Sequence, residues 1–171
     1  MEKATGETVA IGESKFGKGI FAMKDLPAYT NLFYISGKEM NFEETIALAS
    51  RESHAMQTDI RKYILVEPPF LYSNHSCDPN CGINEDFQLI TIKPVAKGEE
   101  LTWDYSTSML ERHWTLHCHC EAPFCRKIIL DFDLIPKQIQ EKYIRAEIVL
   151  PFIIKALKNA KMHFEEVFVE K

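Results

Sequence analysis

At 171 residues, 46% hydrophobic and 26% charged, the chain has the composition of one globular domain able to bury roughly 70% of its unfolded surface. Its 20 basic and 25 acidic side chains leave a formal charge of −5, which argues against general nucleic-acid binding, since that needs a basic face over the phosphates. No run approaches the roughly 18 consecutive apolar residues of a membrane span, and the polar start Met1 to Glu7 is unlike a secretory signal, so the expected location is cytoplasmic or nuclear.

The first third alternates short apolar runs with turn residues. Thr8 to Ile11, Gly19 to Ala22 and Asn31 to Ile35 are predicted strands, with a turn at Asp25-Leu26-Pro27. Asn41 followed by Glu44 is a capping box, which predicts a helix from Phe42 to about Arg51. Strand character resumes at Ile60 to Val66 and at Phe87 to Ile92, and Pro94 and Gly98 mark the next turn. Toward the C-terminus, Pro136 to Ala146 and Pro151 to Met162 carry proline at the first turn and apolar residues at helical spacing, the pattern of two closing helices. No repeat, linker or low-complexity run divides the chain, so one compact unit is expected.

The chemistry is concentrated in cysteines. Cys118, Cys120 and Cys125 form a C-x-C-x4-C array, one ligand short of the thiolate tetrahedron that zinc prefers. The missing donor is Cys77 or Cys81, both in Asn74-His75-Ser76-Cys77-Asp78-Pro79-Asn80-Cys81. An odd count of 5 cysteines in clustered spacing reads as a metal site in a reducing compartment rather than as disulfide staples. His117 and His119 are lesser ligand candidates. A nucleophilic Cys77 with His75 as its base is a weaker reading, because a metal-bound thiolate is not a free nucleophile.

From Gly12 to Arg126 the chain resembles the SET-domain protein lysine methyltransferases with a post-SET zinc motif. The resemblance is carried, in order, by Lys15-Phe16-Gly17-Lys18-Gly19-Ile20-Phe21, by the Asn74 to Cys81 signature, by Gly98-Glu99-Glu100-Leu101-Thr102-Trp103-Asp104-Tyr105 and by Cys118 to Cys125. It implies a mostly β fold of β-clip type with short helices, in which a pseudoknot brings Asn74 to Cys77 against Tyr105. It divides the chain into a SET domain (1–117), a post-SET zinc loop (118–127) and a C-terminal helical extension (128–171). No cysteine-rich segment precedes Gly12, so the likeness is to a minimal member without a pre-SET region.

The resemblance further implies S-adenosylmethionine as cofactor, held by Lys18, Gly19, Ile20, Phe21, Asn74, His75 and Tyr105. Tyr105 is the implied catalytic tyrosine, and Asp104 is expected to support the backbone turn. Tyr34, Tyr72 and Trp103 are the implied substrate-channel residues, with Tyr63 a further candidate and Trp114 expected near the adenine. Zinc would take Cys77, Cys118, Cys120 and Cys125, which leaves Cys81 a small buried thiol. The partner is a protein with an accessible lysine, a histone tail or a nonhistone protein, with no direct contact to nucleic acid or membrane; oligomeric state is open. The alternative is a catalytically silent SET-like module that binds peptide or serves as a scaffold.

Three departures stand out. Trp103 replaces the usual Phe or Tyr that governs how many methyl groups one lysine receives, and its bulk favours low-order methylation. An extra residue separates Tyr34 from Gly37 relative to the family's Tyr-x-Gly. Lys127 follows Arg126 where the family usually has glycine.

Overall fold

Val9 and Ile11 are buried while Ala10 between them is not, the period-two signature of a strand with one face on the core. The computed structural model describes residues 7–160 with their side chains and, for 2–4 and 161–169, the course of the backbone. Strands β1 (Glu2–Ala4), β2 (Val9–Ser14) and β3 (Gly17–Ala22) form one antiparallel sheet. Gly17, with φ at 100°, takes the β2–β3 turn through a region that side chains disfavour.

A second antiparallel sheet has the order β5 (Gly37–Asn41), β7 (Lys62–Val66), β6 (Ala55–Asp59). The capping box is present as predicted: Glu44 N–H donates to Asn41 Oδ1 at 3.0 Å, and Asn41 N–H donates to Glu44 Oε2 at 2.8 Å. Helix α1 nevertheless covers only Phe42–Ile46. The predicted extension to Arg51 is corrected to a 3-10 turn at Ala49–His54, because Ala49 adopts φ 52° and breaks the helical path. Strand β6 was not foreseen; Arg61, at φ 56°, turns it into β7.

Strands β4 (Asn31–Tyr34), β10 (Gln88–Thr91) and β9 (Cys81–Ile83) form a third sheet in that order. Two short pairs complete the β structure. β8 (Asn74–His75) runs parallel to β11 (Thr102–Trp103), and β12 (Leu116–His117) pairs antiparallel with β13 (Ile128–Ile129), closing the cysteine loop. Helices α2 (Lys137–Arg145) and α3 (Pro151–Val169) follow. Among the described residues no helix is long and apolar enough to cross a membrane.

The C-terminal segment is part of the core rather than an appendage. Ile148, Leu150 and Ile153 are buried in one cluster with Ile20, Ile83, Leu89, Leu101 and Phe132. The apolar run from Ile148 therefore covers the core. Contact is close at Gly82, where a Cβ would lie 2.4 Å from Ile148 Cγ2 and 2.6 Å from its Cβ. Gly82→Ala should cost about 1–3 kcal/mol of overpacking. The check is a lowered urea midpoint with unchanged m, partly restored when Ile148→Ala is added.

Candidate active site

The parallel β8–β11 pair brings together two segments about thirty residues apart in sequence. Ser76 N–H donates to Trp103 O at 3.0 Å. Ser73 takes two donors: its carbonyl accepts the Tyr105 hydroxyl at 2.8 Å, and its hydroxyl accepts Trp103 Nε1–H at 2.9 Å. Buried Asn80 secures the same crossing, since its Nδ2 donates to Glu100 O at 2.8 Å and its Oδ1 accepts Thr102 N–H at 2.9 Å. Burial, with the Glu100 charge adding, pushes the Tyr105 phenol well above its ordinary value, so the hydroxyl keeps its proton.

Two cavities meet at Tyr105. A small one of about 70 Å³ is lined by Tyr63, Phe70, Trp103, Met109, Glu111 and Trp114 among others. A larger cleft of about 520 Å³ is lined by Phe16, Lys18, Tyr72, Asn74, His75, Cys118 and Cys120 among others. Ser53, His54, Leu71 and Tyr105 border both, so they form the partition between them. Trp103 sits between Phe70 and Tyr105, with ring centroids 5.2 and 4.9 Å away. On the cleft side Asn74 Nδ2 donates to Lys18 O at 3.0 Å and Glu100 Oε1 at 2.7 Å. Gly19 makes room for that carboxylate: a Cβ there would meet Glu100 Oε1 at 2.5 Å.

Cys77, Cys118, Cys120 and Cys125 converge beside the cleft. Cys118 Sγ lies 3.8 Å from Cys77 Sγ and 3.6 Å from Cys125 Sγ. The edge of a tetrahedron with zinc–sulfur bonds of about 2.3 Å is about 3.8 Å, which both separations match. Backbone N–H groups also aim at them: Cys77 N–H at Cys120 Sγ (3.4 Å), Cys120 N–H at Cys118 Sγ (3.5 Å) and Arg126 N–H at Cys77 Sγ (3.4 Å). Such donors favour thiolates. Burial opposes ionisation of Cys120, yet the N–H groups of Cys77 and Ala122 bring it down to about 7; burial pushes Cys77 up to about 11.

Between the cysteines and Tyr105 lies a buried polar network. Arg126 Nη1 and Nη2 each donate to Asp104 at 2.7 Å, while Ser106 N–H at 3.1 Å and Tyr143 hydroxyl at 3.0 Å donate to the same carboxylate. Burial holds the His75 imidazole down at about 4, against the pull of Asp104 and with Arg126 adding, so the ring is neutral at pH 7.

The SET domain profile matches residues 17–106. The chain belongs to the SET-domain family. Among its relatives, Histone-lysine N-methyltransferase trr of Drosophila melanogaster is 26% identical over 74% of this chain and 6% of its own length. Histone-lysine N-methyltransferase 2D of Homo sapiens is 30% identical over 65% of this chain and 2% of its own length. The chain thus spans only a small fraction of these proteins. In fold it is similar to KRYPTONITE, solved in complex with mCHG DNA and SAH, with a TM-score of 0.57 at 21% identity over 75% of this chain and 30% of that one.

The SET-domain motifs bring most of the expected residues together, with exceptions. Lys18, Asn74, His75 and Tyr105 line the cleft, and Trp103 and Tyr63 line the small cavity. Tyr34 does not: it is 68% exposed on β4, and pairing with Gln88 carries it away from both cavities. Tyr72 belongs to the cleft rather than to the small cavity, with Lys18 Nζ 5.4 Å above its ring. Ile20 is buried in the core and Phe21 packs 3.1 Å from where a Gly12 Cβ would lie, so neither lines the cleft. Trp114, expected near the adenine, borders the small cavity instead. Cys81 is fully buried at the start of β9.

Ser73, Glu100, Glu111 and the Asp104–Arg126–Tyr143 network were not anticipated. Glu100 lies within a recognised motif and Ser73 adjoins one, so position was their one signal. Glu111 had none, because tertiary packing alone brings it to Tyr63, whose hydroxyl donates to it at 2.5 Å. Burial, with Asp131 adding, raises Glu111 above the ordinary carboxylate value, against the Tyr63 hydrogen bond. A raised carboxylate contributes stability in acid that is lost as pH rises through its folded value. Glu111→Gln should therefore raise the urea midpoint at pH 7, and the gain should shrink as pH falls towards about 4.5.

Proposed function

We propose that this SET domain transfers a methyl group from S-adenosylmethionine to the side-chain amine of a protein lysine. The observation that carries the reading is the partition, a protonated Tyr105 hydroxyl where a large open cleft and a small cavity with aromatic walls meet. The cleft suits the cofactor and the cavity suits a lysine side chain. The cofactor, when bound, supplies an electrophilic methyl on a sulfonium.

The chain's own residues then do two things. They align the amine with the methyl carbon, which is worth several kcal/mol of the barrier, and they receive the amine uncharged. At pH 7.4 the neutral form of a free lysine costs roughly 4 kcal/mol. The aromatic walls of Trp103, Phe70 and Tyr63 lower that cost by desolvating the ammonium. Tyr105, fastened to Ser73, presents its phenolic oxygen to the reacting groups from a fixed position. Zinc on Cys77, Cys118, Cys120 and Cys125 would be structural and would hold one wall of the cleft.

Relatives named as histone-lysine methyltransferases support a histone as substrate and a nuclear location; a nonhistone protein is the other substrate class. The opposing reading, a silent peptide-binding module, predicts no cofactor binding.

The test is transfer of labelled methyl groups from S-adenosylmethionine to histones and to cell-extract proteins. Tyr105→Phe should lower kcat by about a hundredfold while cofactor affinity changes little. Absence of both transfer and cofactor binding in the parent chain would sink the proposal. Trp103→Phe enlarges the small cavity, and mass spectrometry of the product should register a shift towards higher methylation states.

A further inference from the structure

Four donor atoms, those of His75, Cys77, Cys118 and Cys120, lie within 4.8 Å of one another. Distance alone would make His75 the fourth ligand of a metal ion and leave Cys125 outside. Hydrogen bonding argues the reverse. Nδ1 of His75 accepts the Tyr105 N–H at 3.2 Å. Asp104 Oδ1 is 3.6 Å from the same nitrogen, but that carboxylate is already engaged by both Arg126 nitrogens, Ser106 N–H and the Tyr143 hydroxyl. Nδ1 is thus an acceptor.

An imidazole that accepts a hydrogen bond at Nδ1 has no proton there, so its proton belongs on Nε2. Nε2 faces Cys77 Sγ at 3.3 Å. A protonated Nε2 has no lone pair to offer a metal; it has an N–H directed at sulfur. Cys77 Sγ then receives two donors, this one and Arg126 N–H at 3.4 Å, an arrangement suited to a thiolate rather than a thiol.

We propose that His75 is a positioning residue and not a metal ligand: Nε2–H donates to the Cys77 thiolate while Nδ1 holds the Tyr105 backbone, so the imidazole ties the metal loop to the tyrosine of the partition. The inference rests on the cysteine site proposed above. Outer hydrogen bonds of this kind orient ligands and tune affinity by about 10–100-fold. Here the same ring also reaches the residue assigned to the chemistry.

The unaltered chain provides the first test. Loaded with Zn(II) and labelled with ¹⁵N at histidine, it should give a two-bond ¹H–¹⁵N spectrum in which His75 carries its proton on Nε2 and a bare Nδ1. A metal-shifted Nε2 with the proton on Nδ1 would overturn the proposal.

The second test uses Co(II) as probe. Cys125→Ser should remove part of the thiolate-to-cobalt charge-transfer absorption. His75→Phe should leave its intensity whole, move it to lower energy and weaken metal binding by about 10–100-fold. His75→Gln, with an amide that both donates and accepts, should restore part of the energy shift. Unchanged absorption in Cys125→Ser, or a changed ligand-field pattern in His75→Phe, would make His75 the ligand. Failure of the parent chain to bind either metal would defeat the cysteine site itself, an outcome separate from a wrong tautomer. Variants that do not fold leave the decision with the spectrum of the unaltered chain.

Discussion

The carboxylate of Asp104 is fully buried, and a charge taken out of water is tolerated only when it is paired and hydrogen-bonded. Its partners come from three places: the guanidinium of Arg126 beside the last cysteine, the backbone of Ser106 just past Tyr105, and the hydroxyl of Tyr143 on α2. Two of the three are distant in sequence, Arg126 by 22 residues and Tyr143 by 39. The segment bearing Tyr105 can be buried only if the cysteine loop and the C-terminal helices are docked, which makes a site assembled from short strands depend on residues well beyond the conserved-looking motifs. Arg126 suits the role because its planar fork meets both carboxylate oxygens at once.

Around that anchor the two cavities differ in size and in the residues that line them. The cleft is rich in polar atoms already committed to one another, such as Asn74 with Lys18 and Glu100. The small cavity is walled by aromatic rings, and its one raised carboxylate, Glu111, is held by Tyr63. A large cleft and a small cavity with aromatic walls, meeting at Tyr105, Ser53, His54 and Leu71, suit a reaction in which one reactant is a charged cofactor and the other an amine that must shed its charge. Trp103 helps define the second environment twice, by its ring and by the Nε1–H that Ser73 accepts.

Local signals were legible where the physics is local. Asn41 and Glu44 form the capping box their spacing predicts, because both partners lie within one turn. The end of α1 was not legible: a helix stop is signalled by glycine, and here Ala49 occupies the left-handed region instead. The same substitution of roles recurs at Lys127, which stands at φ 67° where the family usually places glycine. Lys127 thus bears the steric cost of a left-handed backbone that glycine would not. Tyr34 closes β4 opposite Gln88, exposed and away from both cavities, a placement set by the sheet rather than by its spacing from Gly37. Glu111 and Tyr143 could not be read at all, since long-range packing alone gives them partners.

The two supports of Tyr105 differ in what they require. The Asp104 carboxylate takes its donors from Arg126, Ser106 and Tyr143 of the protein itself, although Arg126 Nε is buried without a partner among the described residues. The cysteine loop is closed by β12 and β13, two residues each, and pairs that short are not stable by themselves. Its thiols are unequal without an ion, with Cys120 near 7 and Cys77 near 11, so ionising all of them together requires a compensating cation. Cys118 and Cys120 line the cleft. Metal on the cysteines would fix that wall, and His75, between Cys77 and the Tyr105 backbone, would carry the constraint on to the tyrosine.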